Sequence, residues 1–397
     1  MPLKITEASI HQIQLKTRMP FKYGIATMTE APHAFVRVRV LVDGRPATGI
    51  AADHLPPKWF TKVPETPLEI EVDEMLTTIE VAVGLAEGVR AETPFDLWRE
   101  LYDRQADWGH RQQWPPLLVN FGMTLVERAV LEAVARARET NWFELLRGEG
   151  LGIRLGECDS RLEGFSVAEL LPGEPAVEVI ARHTVGMADP LSDAEIAADS
   201  RLDDGLPQSL AACLCDYGLC HLKIKVNGDL DADLDRLGDI ATLVETAGVA
   251  EFGFTLDGNE QFRDPAAFRG YWERLVARDD LRDFLSHLVF VEQPFHRDVA
   301  LDPAVMGGED GLAGWSDRPP VIIDESDGQL ESFRTAVEQG YRGVTSKNCK
   351  GTIKVLLNAG LVWHLNQRGG QRQYIMTGED LCSVGIIPVQ ADLCLAA

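Results

Sequence analysis

Lys225, Asp257, Glu292 and Asp324 each close a short apolar run, in the segments Leu-Lys-Ile-Lys, Phe-Thr-Leu-Asp, Val-Phe-Val-Glu and Val-Ile-Ile-Asp. The marks are 32, 35 and 32 residues apart (257−225, 292−257, 324−292). Carboxylates brought close together repel and raise one another's pKa unless a cation neutralises them. Three carboxylates with room for water and substrate suit a hard, oxygen-preferring ion such as Mg²⁺, with Mn²⁺ as an alternative, whereas zinc favours His or Cys. Lys223 and Lys225 stand two apart on one extended run and so share a face, and Lys347 closes a later run 23 residues after Asp324 (347−324). An ammonium neighbour or a bound cation lowers a lysine pKa towards the neutral base, while nearby carboxylates oppose that shift. Lysines on opposite sides of one carbon allow a proton to leave from one face and return to the other. Taken singly, each acidic residue is also a candidate cap for the helix that follows it. Asn259 and Glu325 are candidates to hold a lysine or ligand in place, or surface caps. Glu379 would meet substrate or Lys347, or cap a helix.

These residues need a scaffold that presents them on one rim. A barrel of roughly 250 residues divided over eight strand-helix units repeats about every 31 residues, and its active site lies at the C-terminal strand ends. Seven strands are expected, near 177–185, 221–226, 252–256, 288–292, 321–324, 343–346 and 373–376. Between the second and third, Asp229 reads as the cap of a helix with Leu230, Leu234, Leu237, Ala241 and Val244 on one face and Gly248 as its stop. Strand and helix in alternation imply parallel strands with right-handed crossovers. The fold class is therefore α/β, a TIM-type (β/α)7β barrel in which an eighth strand is not evident. Either the strand count is off by one or the sequence ends early.

Before the barrel, residues 5–15 and 34–42 alternate as strands, the second leading into the turn Asp43-Gly44. The intervening 17–32, with Pro20, Gly24 and Pro32, reads as a mobile loop, and 51–61 as a second loop. Helical periodicity follows from about 66 to 101 and from 117 to 146; Thr93-Pro94 reads as a cap and first helical residue, and 108–116 as a linker. Residues 1–115 thus form an N-terminal α+β capping domain and 116–397 the barrel domain. A Gly-, Glu- and Pro-rich stretch within 148–210 looks like an insertion around the first barrel strand.

With 45% hydrophobic and 25% charged residues the 397-residue chain has the composition of an ordinary globular protein. Its formal charge of −24 argues against nucleic-acid binding, which draws affinity from Lys and Arg on phosphates. No apolar run suggests a membrane span or a signal peptide, so a cytoplasmic protein is expected, acting on a small carboxylate with neither nucleic acid nor membrane as partner, and self-associating as a homo-oligomer. Seven cysteines in so long a chain do not make a disulfide scaffold. Cys213, Cys215, Cys220 and His221 read as free thiols beside a histidine, the alternative being zinc, whose paired C-x2-C spacing is missing.

Lys223-Ile-Lys225, Asp257-Gly-Asn259, Glu292-Gln-Pro294, Asp324-Glu-Ser326 and Ser346-Lys-Asn-Cys-Lys350-Gly351 occur in an order and spacing that resemble the enolase superfamily, in its muconate-lactonizing-enzyme-like subgroup within the mandelate racemase/muconate lactonizing enzyme family. The resemblance covers the whole chain and implies a capping domain whose two loops close over the barrel mouth. It implies that Asp257, Glu292 and Asp324 bind Mg²⁺, that Lys225 and Lys347 are the acid/base pair, and that Lys223 stabilises the substrate carboxylate or the enediolate formed from it. The mandelate-racemase-like subgroup fits poorly, because Thr377-Gly-Glu-Asp380 carries no His. The reaction implied is isomerisation through removal of the proton α to a carboxylate, by a racemase, epimerase or cycloisomerase. A dehydratase of the succinylbenzoate-synthase type and a non-catalytic barrel that keeps the metal site remain open.

Overall fold

A computed structural model describes residues 1–369 and 373–397. The chain opens with a three-stranded meander, β1 (Leu3–Tyr23), β2 (Ala26–Val42) and β3 (Arg45–His54), antiparallel throughout; the two-residue β4 (Arg90–Ala91) completes the sheet order β3-β2-β1-β4. Strict alternation buries Ala34, Val36, Val38, Val40 and Val42 on one face of β2. At the β2–β3 turn Asp43 and Gly44 both take positive φ, +49° and +79°, the twist that a two-residue hairpin requires.

The expected mobile loop at 17–32 is instead the outer half of the β1–β2 hairpin. Pairing resumes with Phe21 opposite Met28, Lys22 opposite Thr27 and Tyr23 opposite Ala26, after a register shift between Lys16 and Phe21. The bulge absorbs Pro20, which has no N–H for the ladder, and Pro32 stands opposite Gln14 while its carbonyl accepts from the Leu55 N–H. The two prolines that suggested a break are thus accommodated within a continuous ribbon. Likewise β3 runs to His54, so only the later part of 51–61 is loop.

Helices α1 (Leu68–Ala86), α2 (Pro94–Gln112) and α3 (Pro116–Arg138) follow. Thr93 caps α2 by accepting from the Asp96 N–H, as its sequence suggested, but the helix continues through residues assigned to a linker, to Gln112. α3 is buried along most of its length, against β3 on one side and the barrel on the other. A Cβ on Gly49 would lie 1.9 Å from the Ala129 carbonyl oxygen, so only glycine lets β3 approach so near. On the barrel side Thr124 donates to the Cys349 carbonyl and Asn120 to the Gly328 carbonyl.

The second sheet has seven parallel strands, β5 (Arg182–Val185), β6 (His221–Lys225), β7 (Gly253–Asp257), β8 (Leu288–Glu292), β9 (Val321–Ile323), β10 (Gly343–Ser346) and β11 (Ile375–Gly378), in sequential order. Among the described residues no strand joins β11 to β5, so the ladder does not close. The sheet nonetheless curls: Lys223 on β6 reaches Glu379, just past β11. β5 starts later than expected because its only partner begins at His221, opposite Arg182; Val177, Val179 and Ile180 before it are exposed. The helix Leu230–Ala247 follows its sequence signals, with Asp229 accepting from the Ala232 N–H and Gly248 at φ +62°. Residues 148–210 form short 3₁₀ turns and helices around β5. Among the described residues no helix is long and apolar enough to cross a membrane.

Glu127 on α3 is buried and accepts from the Ile353 N–H at 2.7 Å. Burial pushes its carboxyl up to about 7, only partly offset by the Ile353 N–H and by Arg128. A carboxyl whose folded pKa is raised stabilises the fold below its unfolded pKa and loses that contribution as pH rises through the folded one. Wild type should therefore lose about 3 kcal/mol of unfolding free energy between pH 4.5 and 7 through this group, and Glu127→Gln should remove that slope in denaturant titrations at several pH values.

Candidate active site

The ladder itself brings the charged marks together. Lys225 pairs with Asp257 and Asp257 with Glu292, so three strand ends lie in one row. Glu292 pairs with Ile322, which places Asp324 two residues further along the same face. Ser346 pairs with Gly378, so Lys347 and Glu379 follow side by side. The row climbs as it passes around the sheet, as the stagger of barrel strands requires.

Lys223 is 2% exposed, and its ammonium contacts Asp257 Oδ2 at 2.9 Å, Glu292 Oε2 at 2.9 Å and a Glu379 oxygen. Lys225 donates to Asp257 Oδ2 at 2.6 Å. Lys347 contacts Asp324 Oδ2 at 3.3 Å and Glu379, and its ammonium stands 5.2 Å above the Trp59 ring. All three lysines face one cavity. Glu379 therefore joins Lys223 to Lys347 rather than capping a helix. Asn259, at φ +41°, turns its N–H onto Asp257 Oδ1 at 2.9 Å and its amide towards Glu325 at 3.4 Å.

Burial would lower the pKa of Lys223, but Asp257, Glu292 and Glu379 outweigh it and hold the ammonium above the usual range. The same contest holds Lys347 high, with Asp324 and Glu379 as the main opponents of burial. Glu325, buried beside Asp324, Glu260 and Asp257, is pushed up to about 8. Burial and then Glu379 raise Glu292, whereas for Asp257 the burial cost is overcome by Lys223 and Lys225, which hold it below the carboxylate range.

Several residues that position the site have no role assigned by the sequence reading. Gln293 accepts the Asp324 and Ser326 N–H groups at 2.8 and 3.2 Å and donates to the Phe295 carbonyl and Ser326 Oγ, joining the end of β8 to that of β9. Thr345 Oγ1 donates to Glu292 Oε1 at 2.7 Å. Lys350 Nζ donates to the Asp324 carbonyl, Asp324 Oδ1 and the Thr345 carbonyl, each at 2.8 Å. The signal for Thr345 was its place two residues before Lys347, on the same face of β10; Gln293 and Lys350 lie inside segments quoted above for other residues.

Glu292 and Asp324, both buried, and the partly exposed Glu379 present carboxylate oxygens within 4.8 Å of one another, a set of hard donors that fits a divalent cation. Glu292 Oε2 has no hydrogen-bond donor and rests against Lys223 alone. Asp257 stands beside this group, its Oδ2 taken by Lys223 and Lys225. Cys220 Sγ lies 3.2 Å from His221 Nδ1, with Cys213 buried and Cys215 exposed; among the described residues the carboxylates are the one group with metal-binding geometry.

The N-terminal sheet and its loops roof the cavity with Phe21 and Tyr23 from the hairpin and Pro56 and Trp59 from the loop after β3. Arg297 forks onto both Glu260 oxygens at 2.8 Å and also donates to the Trp59 and Phe60 carbonyls at 2.8 Å, which fixes that loop to the barrel. The hairpin is held by Arg18, bidentate on Asp204 at 2.6 and 2.8 Å and bonded to the Leu206 and Pro207 carbonyls. Asp204 lies in the 148–210 insertion, which thus latches the roof. Arg18→Ala should free the hairpin tip, speeding limited proteolysis within residues 17–28 several-fold while the thermal midpoint changes little; equal cleavage rates would show that the latch does not hold it.

No protein-family model matches the chain, and no curated protein matches it. Solved structures do. A dipeptide epimerase from Enterococcus faecalis V583, complexed with Mg and the dipeptide L-Leu-L-Tyr, superposes with a TM-score of 0.63 at 16% identity, over 99% of this chain and 86% of that one. The L-Ala-D/L-Glu epimerase from Bacillus subtilis gives 0.61 at 18% identity, over 99% and 86%. A mandelate racemase/muconate lactonizing protein from Herpetosiphon aurantiacus gives 0.61 at 17%, over 99% and 85%. At these identities the likeness is one of fold, the fold that these three structures share.

Proposed function

We propose that the chain is an enolase-superfamily enzyme of the muconate-lactonizing-enzyme-like subgroup, a Mg²⁺-dependent isomerase that removes the proton α to a carboxylate and returns it, as a racemase, epimerase or cycloisomerase. The observation that carries this is the pair Lys225 and Lys347, which come from strands four places apart in the sheet (β6 and β10) and face one cavity beside a carboxylate cluster. A purely structural cation site needs no lysine on each side. The Mg-complexed epimerase among the structural neighbours supports the same kind of reaction.

Asp257, Glu292 and Asp324 are the proposed metal ligands, with Glu379 near enough to join or replace Asp257. A divalent cation held there would supply positive charge to these carboxylates and polarise a substrate carboxylate. One of Lys225 and Lys347 then takes the α-proton at its Nζ while the other, as ammonium, delivers a proton to the opposite face. Lys223, held charged by its three carboxylates, is suited to meet the negative charge that develops on the substrate oxygen rather than to act as base. Asn259 and Glu325 set the orientation of Asp257, and Trp59 over Lys347 keeps water from that side.

Incubation with a panel of α-substituted carboxylates in D₂O with Mg²⁺ tests the proposal. Wild type should place deuterium at the α-carbon. Lys225→Ala and Lys347→Ala should each slow turnover by about 10²- to 10⁴-fold, the usual scale of a general acid or base, and retain Mg²⁺ in calorimetric titration. Net loss of water would redirect the assignment to a dehydratase, and exchange at the wild-type rate in both variants would refute the two-base reading.

A further inference from the structure

The wall of the cavity narrows the substrate class. Over the lysines stand Phe21, Tyr23, Pro56 and Trp59 from the N-terminal sheet and its loops and Leu381 and Cys382 from the segment after β11. The Tyr23 hydroxyl donates to the Pro57 carbonyl at 2.7 Å, so this residue offers its ring. None of these roof residues is a cation; of the cations around them Arg297 and Lys62 are matched with Glu260, Arg128 with Asp53 and Arg18 with Asp204, Lys22 stands on the exposed face of the hairpin, and Arg182 on β5 donates to Thr255 Oγ1. The one charged side chain on the wall above the lysines and their carboxylates is Asp380, which is negative.

We infer, resting on the proton chemistry proposed above, that the substrate is a monocarboxylate whose distal part is apolar, aromatic rings included, and carries no second negative charge. One carboxylate meets the lysine side of the cavity. A second, carried by the distal part, would leave water for aromatic faces, meet no cation among the roof residues and approach Asp380. Burying a carboxylate without a partner is among the costliest changes a site can impose. The inference therefore separates racemisation or epimerisation of apolar acids from cycloisomerisation of diacids, which the lysines and carboxylates alone do not distinguish.

The test is α-proton exchange in D₂O with Mg²⁺, followed by mass spectrometry on matched pairs in both configurations: N-acetylglutamine with N-acetylglutamate, L-Leu-L-Tyr with L-Ala-L-Glu, and mandelate with 2-hydroxyglutarate, with cis,cis-muconate as a further diacid. Exchange or turnover at least tenfold faster for the monocarboxylates is the expected result. Diacids processed as fast or faster would overturn the inference and leave the proton chemistry standing. No turnover of any member would remove the proton chemistry, and this inference with it. Phe21→Arg, which places a cation on the roof at a half-buried hairpin position, should raise the diacid to monocarboxylate ratio at least tenfold; an unchanged ratio in a folded variant would show that this wall does not read the distal group.

Discussion

The ammonium of Lys223 is the contact on which the barrel depends. Glu292, Asp324 and Glu379 hold oxygens within 4.8 Å of one another, and two like charges at that distance repel by roughly 3 kcal/mol at the effective dielectric of a protein site. Asp257 adds a fourth carboxylate to the same row. Lys223 answers three of the four from a single nitrogen, while Lys347 and Lys350 answer Asp324. Removing one partner from a buried ionic set costs about 3–5 kcal/mol, because a charge is left without compensation. The carboxylate cluster is therefore held in the fold by its lysines, and the arrangement that serves chemistry is also one the structure needs to stay assembled.

The two sheets meet around this charge cluster through a second set of ionic contacts. Arg297 on Glu260 grips the Trp59 and Phe60 carbonyls, Lys62 reaches the Asn259 carbonyl, and Arg18 clasps Asp204. Their surroundings differ. Glu260 is nearly fully buried, so its fork is little screened, whereas Arg18 and Asp204 are partly exposed and more sensitive to salt. The Trp59 loop is accordingly fastened by a buried fork and the hairpin by a more exposed one.

Much of the parallel sheet was legible because β6 to β9 are apolar runs stopped by a charge, a pattern that marks type, end and direction together. β8 and β10 fall at the expected residues, and the spacing of Lys225, Asp257, Glu292 and Asp324 does place them along one rim, where Glu379 also meets Lys347. The segment 17–32, with Pro20, Gly24 and Pro32 and too long for a tight turn, looks like a loop in sequence, whereas a bulge and a carbonyl-only position admit both prolines to a longer hairpin. Gln293 leaves no mark in the sequence for a different reason. Its part is played through the backbone N–H groups of Asp324 and Ser326, and a partner 31 residues away leaves no periodic trace. The grouping of Glu292 and Asp324 with Glu379, leaving Asp257 to two lysines, likewise depends on side-chain reach across the curled sheet rather than on position along a strand.

The open side of the ladder gives the Lys223–Glu379 contact a further meaning. Backbone hydrogen bonds carry the curvature from β5 to β11 and then stop, so among the described residues nothing of that kind ties the last strand to the first two. Lys223 does so by charge, spanning from β6 to the residue after β11, and the terminal helix Ile386–Ala396 adds a backbone link where the Ala397 carbonyl accepts from the Ala176 N–H at 2.9 Å, just ahead of β5. Closure by charge differs from closure by a ladder in one respect: it responds to whatever else binds those carboxylates. A cation that drew Glu379 towards Glu292 and Asp324 would compete with Lys223 for it, so the spacing of β6 and β11 and the occupancy of the carboxylate cluster are coupled through one side chain.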